Sequence, residues 1–234
     1  MIIRCILFGI DDTLYDASLQ RYLARMNAVR AMIEAGLPVD PETTFNTLKA
    51  VVAEYGEDYD RHFDRMLERL GLRVNTRIIA AAVAAYHDTK FAYLRPHPET
   101  VPTLIVLRER GYKIGVASAG NPVKQWEKLI RLGLQHLFHH VVIAKEVGCE
   151  TLERRVFEEA LKVLDSTPKE SLFVGCSPSE ELAHAKAAGL LTVRVKRGAH
   201  RLETPKTLEE TPDYEVSTLT ELLRIIGEAD KRET

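Results

Sequence analysis

The feature that most limits what this chain can fold into is a series of short apolar runs, each closed by turn residues. They lie at Ile2 to Phe8, Lys113 to Ala117, Val141 to Ala144, Leu172 to Val174 and Leu191 to Val195. Between the later runs, apolar residues recur at three- and four-residue spacing, the period of a helix with one buried face. Strands alternating with such helices form a parallel sheet covered by helices. Pro122 to Leu134 is one of these helices, with Pro122 at an early position and Gly133 at its end. Its Val123, Trp126, Leu129 and Ile130 are spaced to face a core. Glu153 to Leu164 and Glu180 to Ala188 repeat the pattern.

The strand signal vanishes between Ala17 and Tyr93. Four helical segments take its place, at Ser18 to Ala35, Pro41 to Tyr55, Tyr59 to Leu70 and Thr76 to Phe91. "EAGLPVDPE" and "LGLRVN" punctuate them, and "LRPHPE" marks the return to the sheet. The expected fold is α/β: an open parallel Rossmann-like sheet, residues 1–16 and 95–234, with a small all-helical cap, residues 17–94, inserted after the first strand. At 234 residues and 45% hydrophobic, the chain can bury cores of this size. The charged tail from Lys231 is expected to fray.

A net charge of -2 with interspersed signs gives no basic stripe, so neither nucleic acid nor a membrane is an expected partner. No apolar stretch approaches the ~20 residues that cross a bilayer, and no leader pattern opens the sequence, so a cytoplasmic protein is expected. Cys5, Cys149 and Cys176 are odd in number and widely spaced, which argues for free thiols. Trp126 and the cap's Tyr55, Tyr59, Tyr86 and Tyr93 are expected to pack in cores. His136, His139 and His140 read as a solvated turn near a strand start.

In an open parallel sheet, ligands bind beyond the carboxyl ends of the strands. The segments to inspect are therefore Gly9 to Thr13, Ser118 to Asn121, Lys145 to Leu152 and Cys176 to Glu181. Asp11 with Asp12 reads either as a working carboxylate pair or, together with Thr13, as an Asx turn or helix cap. Cys176 beside a helix N-terminus reads either as a reactive thiolate or as a small buried residue.

In "FGIDDTLYD", "ASAGNPVKQWEKLIRLGL" and "FVGCSPSEELAHAKAAG" the chain resembles the haloacid dehalogenase superfamily. The resemblance is to its capped phosphatase-like branch, close to archaeal glyceraldehyde 3-phosphate phosphatase-type members. It implies an aspartate nucleophile at position 9 and an acid–base aspartate at position 11. It also implies a phosphate-binding hydroxyl at Ser118 with Gly120 and Asn121 beside it, and a further contact from Thr13. A lysine is implied at position 151, and Mg²⁺ ligands at 176 and near 181.

This chain departs from that pattern. Gly9 stands at the nucleophile position, Ala119 at a usually polar one, Thr151 at the lysine position and Cys176 at the metal-ligand position, with Lys145 a few residues before Thr151. Asp11 is retained, and Glu180 and Glu181 remain as metal-ligand remnants. Since a thiol is a poor Mg²⁺ ligand, no cofactor is expected to bind well. The expectation is a protein impaired or inactive as a phosphatase, with a binding or regulatory role. A weak anion or small phosphate ester would occupy the cap–core cleft. The alternative is an active hydrolase of a small phosphate ester.

Overall fold

The computed structural model of the chain describes residues 2–231; residues 232–234, the end of the tail expected to fray, lie outside the described residues. Six strands make one parallel sheet: β1 (Cys5–Phe8), β2 (Lys113–Ser118), β3 (His140–Ile143), β4 (Ser171–Gly175), β5 (Leu191–Val195) and β6 (Tyr214–Val216). Their order is β3-β2-β1-β4-β5-β6. β1 pairs with β2 in the register Phe8 to Val116 and with β4 in the register Phe8 to Val174. All four residues of β1 are buried, as expected of a strand covered on both faces.

Two compact units are present, residues 1–18 with 95–234, and residues 19–94. In the sheet unit, Cys5, Leu7, Val142, Phe157, Leu161, Phe173 and Leu182 form one continuous apolar cluster. The Phe157 and Phe173 rings meet edge to face at 5.1 Å. Burying each such side chain is worth about 1.5–3 kcal/mol. The other unit contains α2 (Pro41–Tyr55), α3 (His62–Arg69), α4 (Thr76–Tyr93) and most of α1 (Ala17–Glu34). Its own core joins Val29, Met32, Leu48, Val51, Met66, Leu67 and Ile78. Asp40 caps α2 by accepting the Thr43 N–H at 2.8 Å, with Pro41 in the first turn.

Helices α5 (Thr100–Glu109), α6 (Pro122–Arg131), α7 (Arg154–Val163), α8 (Ala183–Ala187) and α9 (Leu219–Lys231) complete the order. Several expectations need correction. The helix expected from Tyr59 begins only at His62, after a turn that follows Gly56 at φ +82°. The stretch from 180 to 188 is a wide helical turn, Pro178–Leu182, that leads into α8. On α6 the buried residues are Gln125 and Leu129, while Val123 and Ile130 face solvent and Trp126 is half-buried. Trp126 donates to Glu146 at 3.3 Å, so its indole sits at the surface instead of in the core. Tyr55 and Tyr93 are likewise exposed; Tyr55 stacks on Tyr59 at 4.7 Å. His139 is more than a solvated residue, because its Nδ1 accepts the Ile114 N–H of β2 at 3.0 Å. Among the described residues, no helix is long and apolar enough to cross a membrane.

Candidate active site

The sheet order reverses between β1 and β4: the chain runs from β1 to β2 on one side, and from β3 across to β4 on the other. Ligands of open α/β sheets bind at such a point, beyond the strand ends. The Gly9 N–H donates to Val174 O at 2.9 Å, so the ladder runs one residue past β1. The chain then makes a helical turn in which the Leu14 N–H donates to Ile10 O at 3.0 Å.

Asp11 leaves that turn with its carboxylate gripped by a lysine. Lys128 Nζ donates to Asp11 Oδ1 at 2.7 Å and Oδ2 at 2.8 Å, and the Tyr15 hydroxyl donates to Oδ1 at 2.9 Å. Lys128 also donates to Gln125 Oε1 at 3.2 Å, while Gln125 Nε2 donates to Ala119 O at 2.7 Å. One helical turn of α6 thus ties the loop after β2 to the loop after β1. The sequence reading missed Lys128 because it sought the lysine after β3. The available signal was the i,i+3 pair Gln125 and Lys128, a polar patch on the face of α6 that also carries buried Leu129.

Asp12 does different work. It adopts φ +54°, and its carboxylate accepts the Ser18 N–H at 2.8 Å and the Ser18 hydroxyl at 2.5 Å. Ser18 Oγ in turn accepts the Ala199 N–H at 2.9 Å. A β-carbon on Gly198 would fall 2.1 Å from Asp12 Cγ, so only glycine allows this approach. Asp12 therefore fastens the start of α1 to the loop after β5, which is the capping alternative.

Thr13 is fully buried, and its hydroxyl has no hydrogen-bond partner. Ser118 is buried at the end of β2, its hydroxyl making a long 3.3 Å contact to Ala119 O. Gly120 follows at φ +103°, and Asn121 caps α6 by accepting the Lys124 N–H at 3.2 Å. Thr151 lies exposed between the turn Ala144–Val147 and α7. Lys145 pairs with Glu150 at 3.1 Å on the surface, so its loop does not fold back.

Cys176 is buried, with its Sγ 3.5 Å from Asp11 O. Burial, then the charges of Glu181 and Asp12, push its thiol well above the ordinary range. The residue is a protonated thiol and not a reactive thiolate. Glu181 Oε2 accepts the N–H groups of Cys176 at 2.7 Å and Ser177 at 3.0 Å. Burial raises its carboxyl pKa, and these two bonds oppose the rise. Glu180 is exposed, with its N–H on Ser177 Oγ at 3.2 Å.

Phosphatases of the resembled family normally use Mg²⁺. Mg²⁺ requires hard oxygen donors in octahedral array. Here the Lys128 ammonium spans both Asp11 oxygens, and the Cys176 thiol faces a carbonyl. Among the described residues no three His, Cys, Asp or Glu side chains are grouped to hold a metal. The Asp11 side-chain oxygens are thus engaged by a cation, and Cys176 offers sulfur where Mg²⁺ takes oxygen.

Residues 3–189 match the haloacid dehalogenase-like hydrolase family. The chain belongs to that family. It is 46% identical over 231 residues to a glyceraldehyde 3-phosphate phosphatase of Methanopyrus kandleri, covering 98% of this chain and 99% of the relative. A protein of the same name from Methanothermobacter thermautotrophicus is 41% identical, over 94% of this chain and all of the relative. Among solved structures, a HAD phosphatase from Thermococcus onnurineus shares the fold at TM-score 0.67 and 24% identity, covering 96% of this chain and 98% of that one. The L-2-haloacid dehalogenase of Xanthobacter autotrophicus does so at 0.64 and 21%, covering 97% and 99%. Full-length likeness to proteins named as phosphatases overturns the expectation of an impaired or inactive family member. The altered positions 9, 119, 151 and 176 had suggested that inactivity. A lysine does reach the site, from residue 128 instead of residue 151.

Proposed function

We propose that the chain is an enzyme that hydrolyses a small phosphate monoester of the class of glyceraldehyde 3-phosphate. The observation that carries this reading is the Asp11 carboxylate held by Lys128 and Tyr15 where the sheet order reverses. The names of the full-length relatives support the substrate class.

In this reading Lys128 lends positive charge to the phosphoryl group. The Ser118 hydroxyl, the unpartnered Thr13 hydroxyl and the N–H groups beside Asp11 and Gly120 offer hydrogen bonds to its oxygens. Asn121 orders that loop by capping α6. Asp11 is an ion-paired acceptor at rest, so it first takes up a proton as Lys128 turns to the phosphoryl group; it then delivers that proton to the departing alkoxide and later withdraws one from water. Lys128 is the main charge partner here, and Mg²⁺ binds weakly. A cytoplasmic setting goes with this reading, and the three free cysteines support it.

The test is phosphate release from glyceraldehyde 3-phosphate by the unaltered chain and by Asp11→Asn, which keeps the shape of the side chain. Loss of acid–base catalysis should lower kcat by roughly 10²–10⁴-fold. Equal rates for the two proteins would remove Asp11 from the reaction.

A further inference from the structure

Gly9 leaves a gap beside the switch point, and a carboxylate from elsewhere fills it. A β-carbon built on Gly9 would stand 2.7 Å from Glu181 Oε1, 3.6 Å from Glu181 Cδ and 3.4 Å from Thr13 Oγ1. On Gly175, at the end of the neighbouring β4, a β-carbon would stand 2.8 Å from Glu181 Oε2. Two adjacent strand ends thus carry glycine where one carboxylate lies against them. Any side chain at either place would meet it.

The carboxylate is held in a definite pose. Oε2 accepts two backbone N–H groups, from Cys176 and Ser177, while Oε1 is the oxygen turned toward Gly9. The buried Thr13 hydroxyl, which has no partner, borders the same spot. A nucleophilic carboxylate needs one oxygen oriented and the other presented, with donors nearby for the phosphoryl oxygens. Glu181 meets that description although it comes from the loop after β4.

We infer that Glu181 supplies the carboxylate that residue 9 lacks, and that Glu181 Oε1 is the atom that attacks phosphorus. The inference rests on the phosphatase reading above. In the first step an Oε1 lone pair forms a bond to phosphorus while the bond from phosphorus to the ester oxygen breaks. The departing oxygen takes a proton from Asp11, leaving a glutamyl phosphate and the free alcohol. In the second step water attacks phosphorus and gives a proton to Asp11. The bond from phosphorus to Oε1 breaks, phosphate leaves, and Glu181 is again a carboxylate. Atoms and charge balance without a further reactant.

The experiment uses para-nitrophenyl phosphate, whose leaving group departs without a proton, on the full chain carrying Asp11→Asn. The first step then proceeds while the second stalls. The expected result is a burst of one equivalent of nitrophenolate and an acyl phosphate. Borohydride reduction followed by mass spectrometry should place it at residue 181. Adding Glu181→Gln, which keeps the size of the side chain, should abolish the burst, and Glu181→Gln alone should cost on the order of a thousandfold in kcat. An unaltered protein that turns over substrate while the label sits elsewhere, or while Glu181→Gln keeps the burst, overturns the role of Glu181 and leaves the phosphatase reading standing. Failure of the unaltered protein to release phosphate from any ester overturns both.

Discussion

Placing a methyl group at Gly9 probes the geometry of the site without touching a charged residue. Gly9→Ala puts a β-carbon 2.7 Å from Glu181 Oε1, closer than real β-carbons come to other atoms. Gly9 does not adopt a positive φ, so alanine itself is unstrained there and should stabilise by about 0.4–1 kcal/mol through the unfolded chain. Against this, Glu181 must move. Its Oε2 is held by two N–H groups, and weakening one such charged hydrogen bond costs about 1.5–3 kcal/mol. The net loss is about 1–2 kcal/mol, which for a chain of this size lowers Tm by roughly 2–8 °C. The clean measurement is a double-mutant cycle by urea unfolding with Glu181→Ala. In that background the obstacle is gone, so Gly9→Ala should become neutral or stabilising, with a coupling of about 1–3 kcal/mol. An equal effect of Gly9→Ala in both backgrounds would refute the contact between residues 9 and 181.

Other outcomes follow from the same geometry. Lys128→Met should lower kcat/KM by roughly 10²–10³-fold, because it removes the cation on Asp11, as phosphate-release kinetics would show. Gly9→Asp alone should not raise activity, since its side chain collides with Glu181; joined to Glu181→Ala it should recover part of what Glu181→Ala loses. The raised carboxyl pKa of Glu181 means that the folded state binds more proton than the unfolded state above the ordinary value of 4.5. Stability should therefore fall as pH rises through that window, and Glu181→Gln should flatten the fall in pH-dependent unfolding curves. Cys176, a buried thiol with raised pKa, should resist iodoacetamide in the native protein at neutral pH and react once the chain is unfolded.

The sheet was legible because parallel strands buried on both faces read as unbroken apolar runs, as in Cys5 to Phe8. The edge strand Tyr214–Val216 was not, being three residues long with two of them exposed. Helices α5 and α9 carry no motif that marks them in the sequence. On α6, spacing alone chose the wrong face: Val123 and Ile130 have apolar period, yet the buried face carries Gln125 beside Leu129. The candidate site was half legible. Asp11, Thr13, Cys176 and Glu181 lie in the segments that follow β1 and β4, and Ser118 is the last residue of β2, all at the strand ends that the pattern pointed to. Lys128 and the approach of Glu181 to Gly9 depend on contacts between residues more than a hundred positions apart. Only the paired glycines at 9 and 175 hinted at the second, by leaving room for a side chain from another loop.

The proposed hydrolysis of a phosphate ester uses a carboxylate delivered from residue 181 to attack phosphorus. The most direct measurement is steady-state phosphate release from glyceraldehyde 3-phosphate by the unaltered protein and by Glu181→Gln, each shown to be folded by its thermal transition. The account predicts turnover by the unaltered protein and a loss on the order of a thousandfold in the variant at a similar Tm. Equal turnover by both, or none by either, would contradict it.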